Sequence, residues 1–84
     1  MKSKHGKTLE TIFENPVRSD IEWERIRTML IALGAEIREA RGSRVLIKLK
    51  GVRLVFHRPH PQKEVDKGAV KSLRRFLETA GVTP

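Results

Sequence analysis

The segment Phe56-His57-Arg58-Pro59-His60-Pro61 holds two of the chain's three histidines. Imidazoles spaced in this way can bind a metal, move a proton, or simply close a strand in solvent. A metal centre is disfavoured. Zinc takes three or four protein ligands, the chain has no cysteine, and the third histidine, His5, lies far away in the N-terminal tail. Two prolines also stiffen the spacing. No nucleophile elbow and no glycine-rich phosphate loop occurs. No metal is expected and no motif calls for another cofactor, so His57 and His60 stay open as acid–base or phosphate-contacting groups or as solvated residues at a strand end.

The elements that carry these side chains follow from a period-two pattern. Val45, Ile47 and Leu49 alternate with Leu46 and Lys48, while Val52, Leu54 and Phe56 alternate with Arg53, Val55 and His57. Lys50-Gly51 fits a two-residue hairpin loop, in which glycine supplies a positive φ. That loop sets Leu49 opposite Val52, Ile47 opposite Leu54 and Val45 opposite Phe56, so all six apolar residues share one face, as a buried face requires. On the other face Lys48 opposes Arg53, Leu46 opposes Val55 and Arg44 opposes His57. Like charges in direct opposition disfavour folding, which points either to a face kept basic for a partner or to long side chains that splay apart in solvent. Ala35 and Ile37, alternating with Glu36 and Arg38, predict a shorter strand before an Arg41-Gly42-Ser43 turn. Pro59 and Pro61 end the ladder.

Helices flank these strands. Residues 8–16 predict a short helix with Leu9, Ile12 and Phe13 on one face, stopped by Pro16. Ser19 followed by Glu22 matches a capping box for a helix carrying Trp23, Ile26, Met29, Leu30 and Leu33 and closed by Gly34. Trp23 and Met29 are predicted core residues. In the last helix Asp66 is the predicted N-cap, Val65 and Val70 a hydrophobic staple, Val70, Leu73, Leu77 and Ala80 the inner stripe, and Gly81 the C-terminal stop. The predicted fold is α+β: a three-stranded antiparallel sheet with helices on one face, plus an extra N-terminal helix. The reading divides the chain into a tail and short helix over 1–18 and one domain over 19–84.

Composition bounds the function. At 84 residues the chain has room for a surface site rather than a deep substrate cavity. Eighteen Lys and Arg against ten Asp and Glu give a net charge of +8, which favours polyanionic partners. Lys48, Arg53, Arg58, Lys63, Lys67, Lys71, Arg74 and Arg75 form the candidate RNA-binding set, because such residues can neutralise phosphates. With one Trp, three Phe and no Tyr, all placed in the core, base stacking on the sheet is disfavoured and backbone and shape recognition favoured. No apolar run can span a membrane, the basic start leads into no secretory signal, and the absence of cysteine fits a cytoplasmic protein.

The order of motifs resembles the HicA toxin family. The matching pieces are Gly42-Ser43, His60-Pro61-Gln62-Lys63-Glu64 and the Lys67–Gly81 helix, within a match over about residues 20–82. The resemblance implies a fold similar to a double-stranded RNA-binding domain, metal-independent cleavage of mRNA, and neutralisation by a HicB antitoxin. The family typically places its catalytic histidine just after Gly-Ser, where this chain has Arg44 and Val45. His57, directly across the predicted ladder from Arg44, is the candidate replacement, with Arg44 holding the scissile phosphate. His60 corresponds to the family's loop histidine, with a role in ordering the loop or touching phosphate. The alternatives are a catalytically inactive double-stranded RNA-binding domain and an antitoxin-interaction module of the same fold.

Overall fold

The computed structural model describes residues 4–59 and 62–84. In chain order the elements are α1 (Lys4–Ile12), β1 (Ile21–Glu22), α2 (Trp23–Ala32), β2 (Glu36–Glu39), β3 (Arg44–Leu49), β4 (Val52–His57), β5 (Glu64–Val65) and α3 (Lys67–Thr79). Strands β2, β3 and β4 form a three-stranded antiparallel sheet in that order, and β1 pairs with β5 in a second, two-stranded one. The architecture is the α+β fold read from the sequence, with the run α2-β2-β3-β4 followed by the short β5 and then α3.

The hairpin register agrees with the sequence reading at all six pairs, from Leu49↔Val52 to Arg44↔His57. Lys50 (φ 50°) and Gly51 (φ 81°) both take positive φ, as the tight primed turns that match strand twist require. Val45, Ile47, Leu49 and Phe56 are buried, and Val52 and Leu54 pack against the same core. Leu46 and Val55, on the opposite face, are exposed. The sheet thus has a covered inner face and an open outer face.

Glycine closes both long helices. At α2 the N–H groups of Gly34 and Ala35 donate to the Ile31 and Leu30 carbonyls (3.0 and 2.9 Å). At α3 those of Gly81 and Val82 donate to Glu78 and Leu77 (3.0 and 2.8 Å). Both are the double-bonded stop that a left-handed residue makes possible, with Gly34 at φ 95° and Gly81 at φ 79°. Asp66 caps α3 as read, its carboxylate accepting from the Ala69 N–H at 2.8 Å. Val65 and Val70 are both buried. The inner stripe of α3 is buried as predicted and extends to Phe76.

Two expectations are corrected. Ser19 and Glu22 form no capping box: α2 starts at Trp23, and Glu22, its N-cap residue, makes no side-chain cap bond. The cause is a tertiary pairing, Ile21↔Val65 and Glu22↔Glu64, which draws residues 21–22 into a strand and buries Ile21 and Val65. Nor is the basic head a loose tail from residue 4 onward. The first helix begins at Lys4 and buries Gly6 and Thr8. The Thr8 hydroxyl donates to the Lys4 carbonyl at 2.8 Å, and Arg25 of α2 donates to that hydroxyl at 3.4 Å. Leu9, Ile12 and Ile21 belong to the same core as α2, α3 and the sheet.

Candidate functional site

The outer face is organised in rows across the sheet. Glu36, Lys48 and Arg53 form one row, and Arg38, Leu46 and Val55 the next. Arg44 and His57 form the third, beside the turn. Every one of these residues is exposed. The first two rows line a shallow open hollow of about 520 Å³ over the sheet. Leu46 and Val55 give it an apolar floor, and Arg38, Lys48 and Arg53 a cationic rim.

Arg44 and His57 are a non-hydrogen-bonded pair. Leu49 and Val52 flank the two-residue loop and exchange ladder bonds, so pair type alternates from there and places the fifth pair beyond in the closer class. Cβ atoms in such pairs lie about 4.5–5.5 Å apart. The Arg58 N–H donates to the Ser43 carbonyl at 2.9 Å, which carries the ladder one step past this pair and fixes both backbones. Behind it, Phe56 stacks on Trp23 with ring centroids 5.1 Å apart. An arginine and an imidazole on one open face can together hold a phosphodiester and move a proton at it.

The candidate basic set divides. Lys48 and Arg53 lie on the outer face. Lys67, Lys71 and Arg75 are exposed on α3, which covers the inner face. Arg75 reaches the β4 edge, where it shares a groove with Arg53. Lys63 is exposed in the loop before β5, and its carbonyl accepts the Trp23 N–H at 3.0 Å. Arg58 is half-buried and pairs with Glu39 at 2.8 Å.

Arg74 is held by the fold. Its guanidinium donates to the Ile12 carbonyl through Nε (3.0 Å) and Nη2 (2.8 Å). It also donates to the Glu14 carbonyl (2.7 Å) and the Asn15 side chain (3.3 Å), and it lies over the Phe13 ring. His60 and Pro61 lie outside the described residues, as does the proposed role of that loop histidine. Among the described residues no group of three His, Cys, Asp or Glu could hold a metal ion. The candidate set read from the sequence leaves out Arg38, although its place in the β2 alternation puts it on the outer face. Nothing in the sequence marks the Arg58–Glu39 pair.

Comparison with known families decides the affiliation. The model described as "HicA toxin of bacterial toxin-antitoxin" matches residues 23–82. The match runs from the first residue of α2 to the buried Val82 and covers the sheet, the turn and α3. The chain belongs to the HicA toxin family. It is therefore the toxin member of a toxin–antitoxin system. No curated protein and no solved structure matches it. The family match leaves α1 and β1 outside, although both contribute to the core. Among the described residues, no helix is long and apolar enough to cross a membrane.

Proposed function

We propose that this HicA-family toxin is a metal-independent endoribonuclease that binds and cleaves mRNA in the cytoplasm and is neutralised by a HicB-like antitoxin. The observation that carries the reading is the cross-strand pair Arg44↔His57 on an open face, with Lys48 and Arg53 two rows away. His57 takes the proton of a ribose 2′-OH. The freed oxygen attacks the adjacent phosphorus, the P–O5′ bond breaks and the 5′-oxygen departs with a proton taken from solvent water, leaving a 2′,3′-cyclic phosphate. Arg44 holds the phosphate and stabilises the charge that develops on it. In the reverse assignment His57 protonates the leaving oxygen.

Recognition is by backbone and shape. Trp23, Phe56 and Phe76 are buried and Phe13 is partly covered, so no aromatic platform is offered to bases. Lys48 and Arg53 contact phosphates, assisted by Lys63, Lys67, Lys71 and Arg75 where the RNA reaches the α3 side.

Expression of the chain alone in a bacterium tests this. Growth arrest with mRNA decay is expected, and His57→Ala should abolish both while leaving the thermal melt unchanged. Full toxicity of a folded His57→Ala protein refutes the assignment. Salt-sensitive binding to double-stranded RNA without arrest identifies the inactive RNA-binding domain instead. Neither arrest nor RNA binding leaves the antitoxin-interaction module.

A further inference from the structure

The free edge of β4 has the chemistry of a docking site. In this hairpin Val52, Leu54 and Phe56 turn their N–H and C=O groups toward β3, so Arg53, Val55 and His57 turn theirs away from the sheet. None of these outward groups has a backbone partner among the described residues. Exposed edges are ordinarily guarded by shortness, charged side chains, proline, a bulge or a covering element. The opposite edge, β2, follows that rule with four residues bearing Glu36, Arg38 and Glu39. In contrast, β4 has six residues with no proline and no acid, and Val55 at its centre is 57% exposed. Alongside runs a groove of about 240 Å³ between β4 and α3, lined by Val52, Leu54 and Phe76 with Arg53 and Arg75, and no acidic residue lines it.

We propose that the β4 edge and this groove form a strand-addition site for an extended acidic segment of a protein partner. The segment would place an acid opposite Arg53, an apolar residue opposite Val55 and a second acid opposite His57. Its alternate residues would enter the groove beside Phe76 and Arg75. A ladder needs N–H and C=O groups at strand spacing, which a protein segment has and RNA lacks. A second copy of this chain fits poorly. A two-fold pairing centred on Val55 would set Arg53 against His57 and bring together two chains of net charge +8, a like-charge arrangement that disfavours association. A strand seated here also lies beside His57 and narrows access to it, which suits an inhibitory partner. The inference goes beyond the nuclease reading and does not depend on it.

The probe is a synthetic seven-residue peptide, acetyl-Thr-Glu-Thr-Val-Thr-Glu-Thr-amide, titrated into the full chain by NMR. Saturable binding is expected, with amide exchange at Arg53, Val55 and His57 slowed at least tenfold at saturation. Methylating the peptide's valine nitrogen preserves its charge but removes the central ladder bond, and should weaken binding at least tenfold. Val55→Pro removes the matching outward N–H without touching the β3 ladder and should weaken binding equally. If that variant fails to fold, the methylated peptide decides with the unmodified protein. Absence of binding, equal affinity of the methylated peptide, or unchanged exchange at the three amides overturns the proposal. A dimer of the free chain that Val55→Pro dissolves would overturn it in favour of self-pairing. None of these readouts involves RNA.

Discussion

Replacing Arg74 with alanine should destabilise the protein without weakening RNA binding. The end of α1 has no basic residue of its own in its last turn. Arg74, some sixty positions away in sequence, supplies one by donating to the Ile12 and Glu14 carbonyls at 2.7–3.0 Å. Hydrogen bonds to a charged group contribute about 1.5–3 kcal/mol each, and a cation at a helix C-terminus about 0.3–1 kcal/mol. These contributions share one half-exposed guanidinium and do not add, so a loss of about 2–3 kcal/mol is expected. For a domain of this size that corresponds to about 10–20 °C in Tm. Urea unfolding of wild type, Arg74→Ala and Arg74→Lys measures it. Lysine restores the charge but not the planar fork and should recover less than half of the loss. RNA affinity and its salt dependence, measured well below the lowered Tm, should not change. Unaltered stability combined with a shallower salt slope would refute the clamp and return Arg74 to the RNA-contacting set.

Two further outcomes follow from charge placement. Lys48→Ala combined with Arg53→Ala removes two outer-face cations, and the slope of log affinity against log salt should fall by about 0.9 for each duplex phosphate no longer neutralised. Stability should change little, because the repulsion between Lys48 and Arg53 across one ladder is offset by Lys48 facing Glu36 across the other. In the loop before β1, Arg18 donates to Asp20 at 2.7 and 2.8 Å, which holds the Asp20 carboxyl below its ordinary 3.8. A depressed carboxyl stabilises the fold above its unfolded pKa and loses that contribution as pH falls through the folded one. The stability difference between wild type and Arg18→Ala should therefore be constant above about pH 5 and shrink below about pH 4. It should be small, since the pair is solvent-exposed, and chemical denaturation across pH measures it.

The features legible in the sequence are those set by local rules. The β3–β4 register follows from a two-residue loop and strict alternation, because any slip exposes the apolar set. The roles of Asp66, Gly34 and Gly81 follow from capping chemistry that acts within a few residues. What escapes depends on partners distant in the chain. Ile21 and Glu22 become a strand only because Glu64 and Val65 lie beside them, and two residues leave no period to detect. The helical start at Lys4 rests on Gly6 and Thr8 packing inward, whereas the basic head shows no apolar repeat. Arg74 and Arg75 are indistinguishable in sequence. One clamps α1 and the other borders the β4 groove, because a helix turns adjacent residues about 100° apart. For the same reason the single basic set read from the sequence divides between the two sides of the sheet.

The geometry that turns His57 outward begins outside the family match. Ile21 pairs with Val65, and the next element opens with Trp23, whose N–H holds the Lys63 carbonyl. The Trp23 ring stacks on Phe56. Phe56 is therefore fixed inward, and in an extended strand the following residue must face the other side. His57 occupies the open face because the residue before it is anchored in the core, and Ser43 bonding to Arg58 prevents the strand end from fraying. Position 44, immediately after Gly42-Ser43, lies on the neighbouring strand directly across the ladder from His57. In the proposed nuclease the imidazole comes from β4, on the same face and in the same row as position 44, and Arg44 sets a cation beside it.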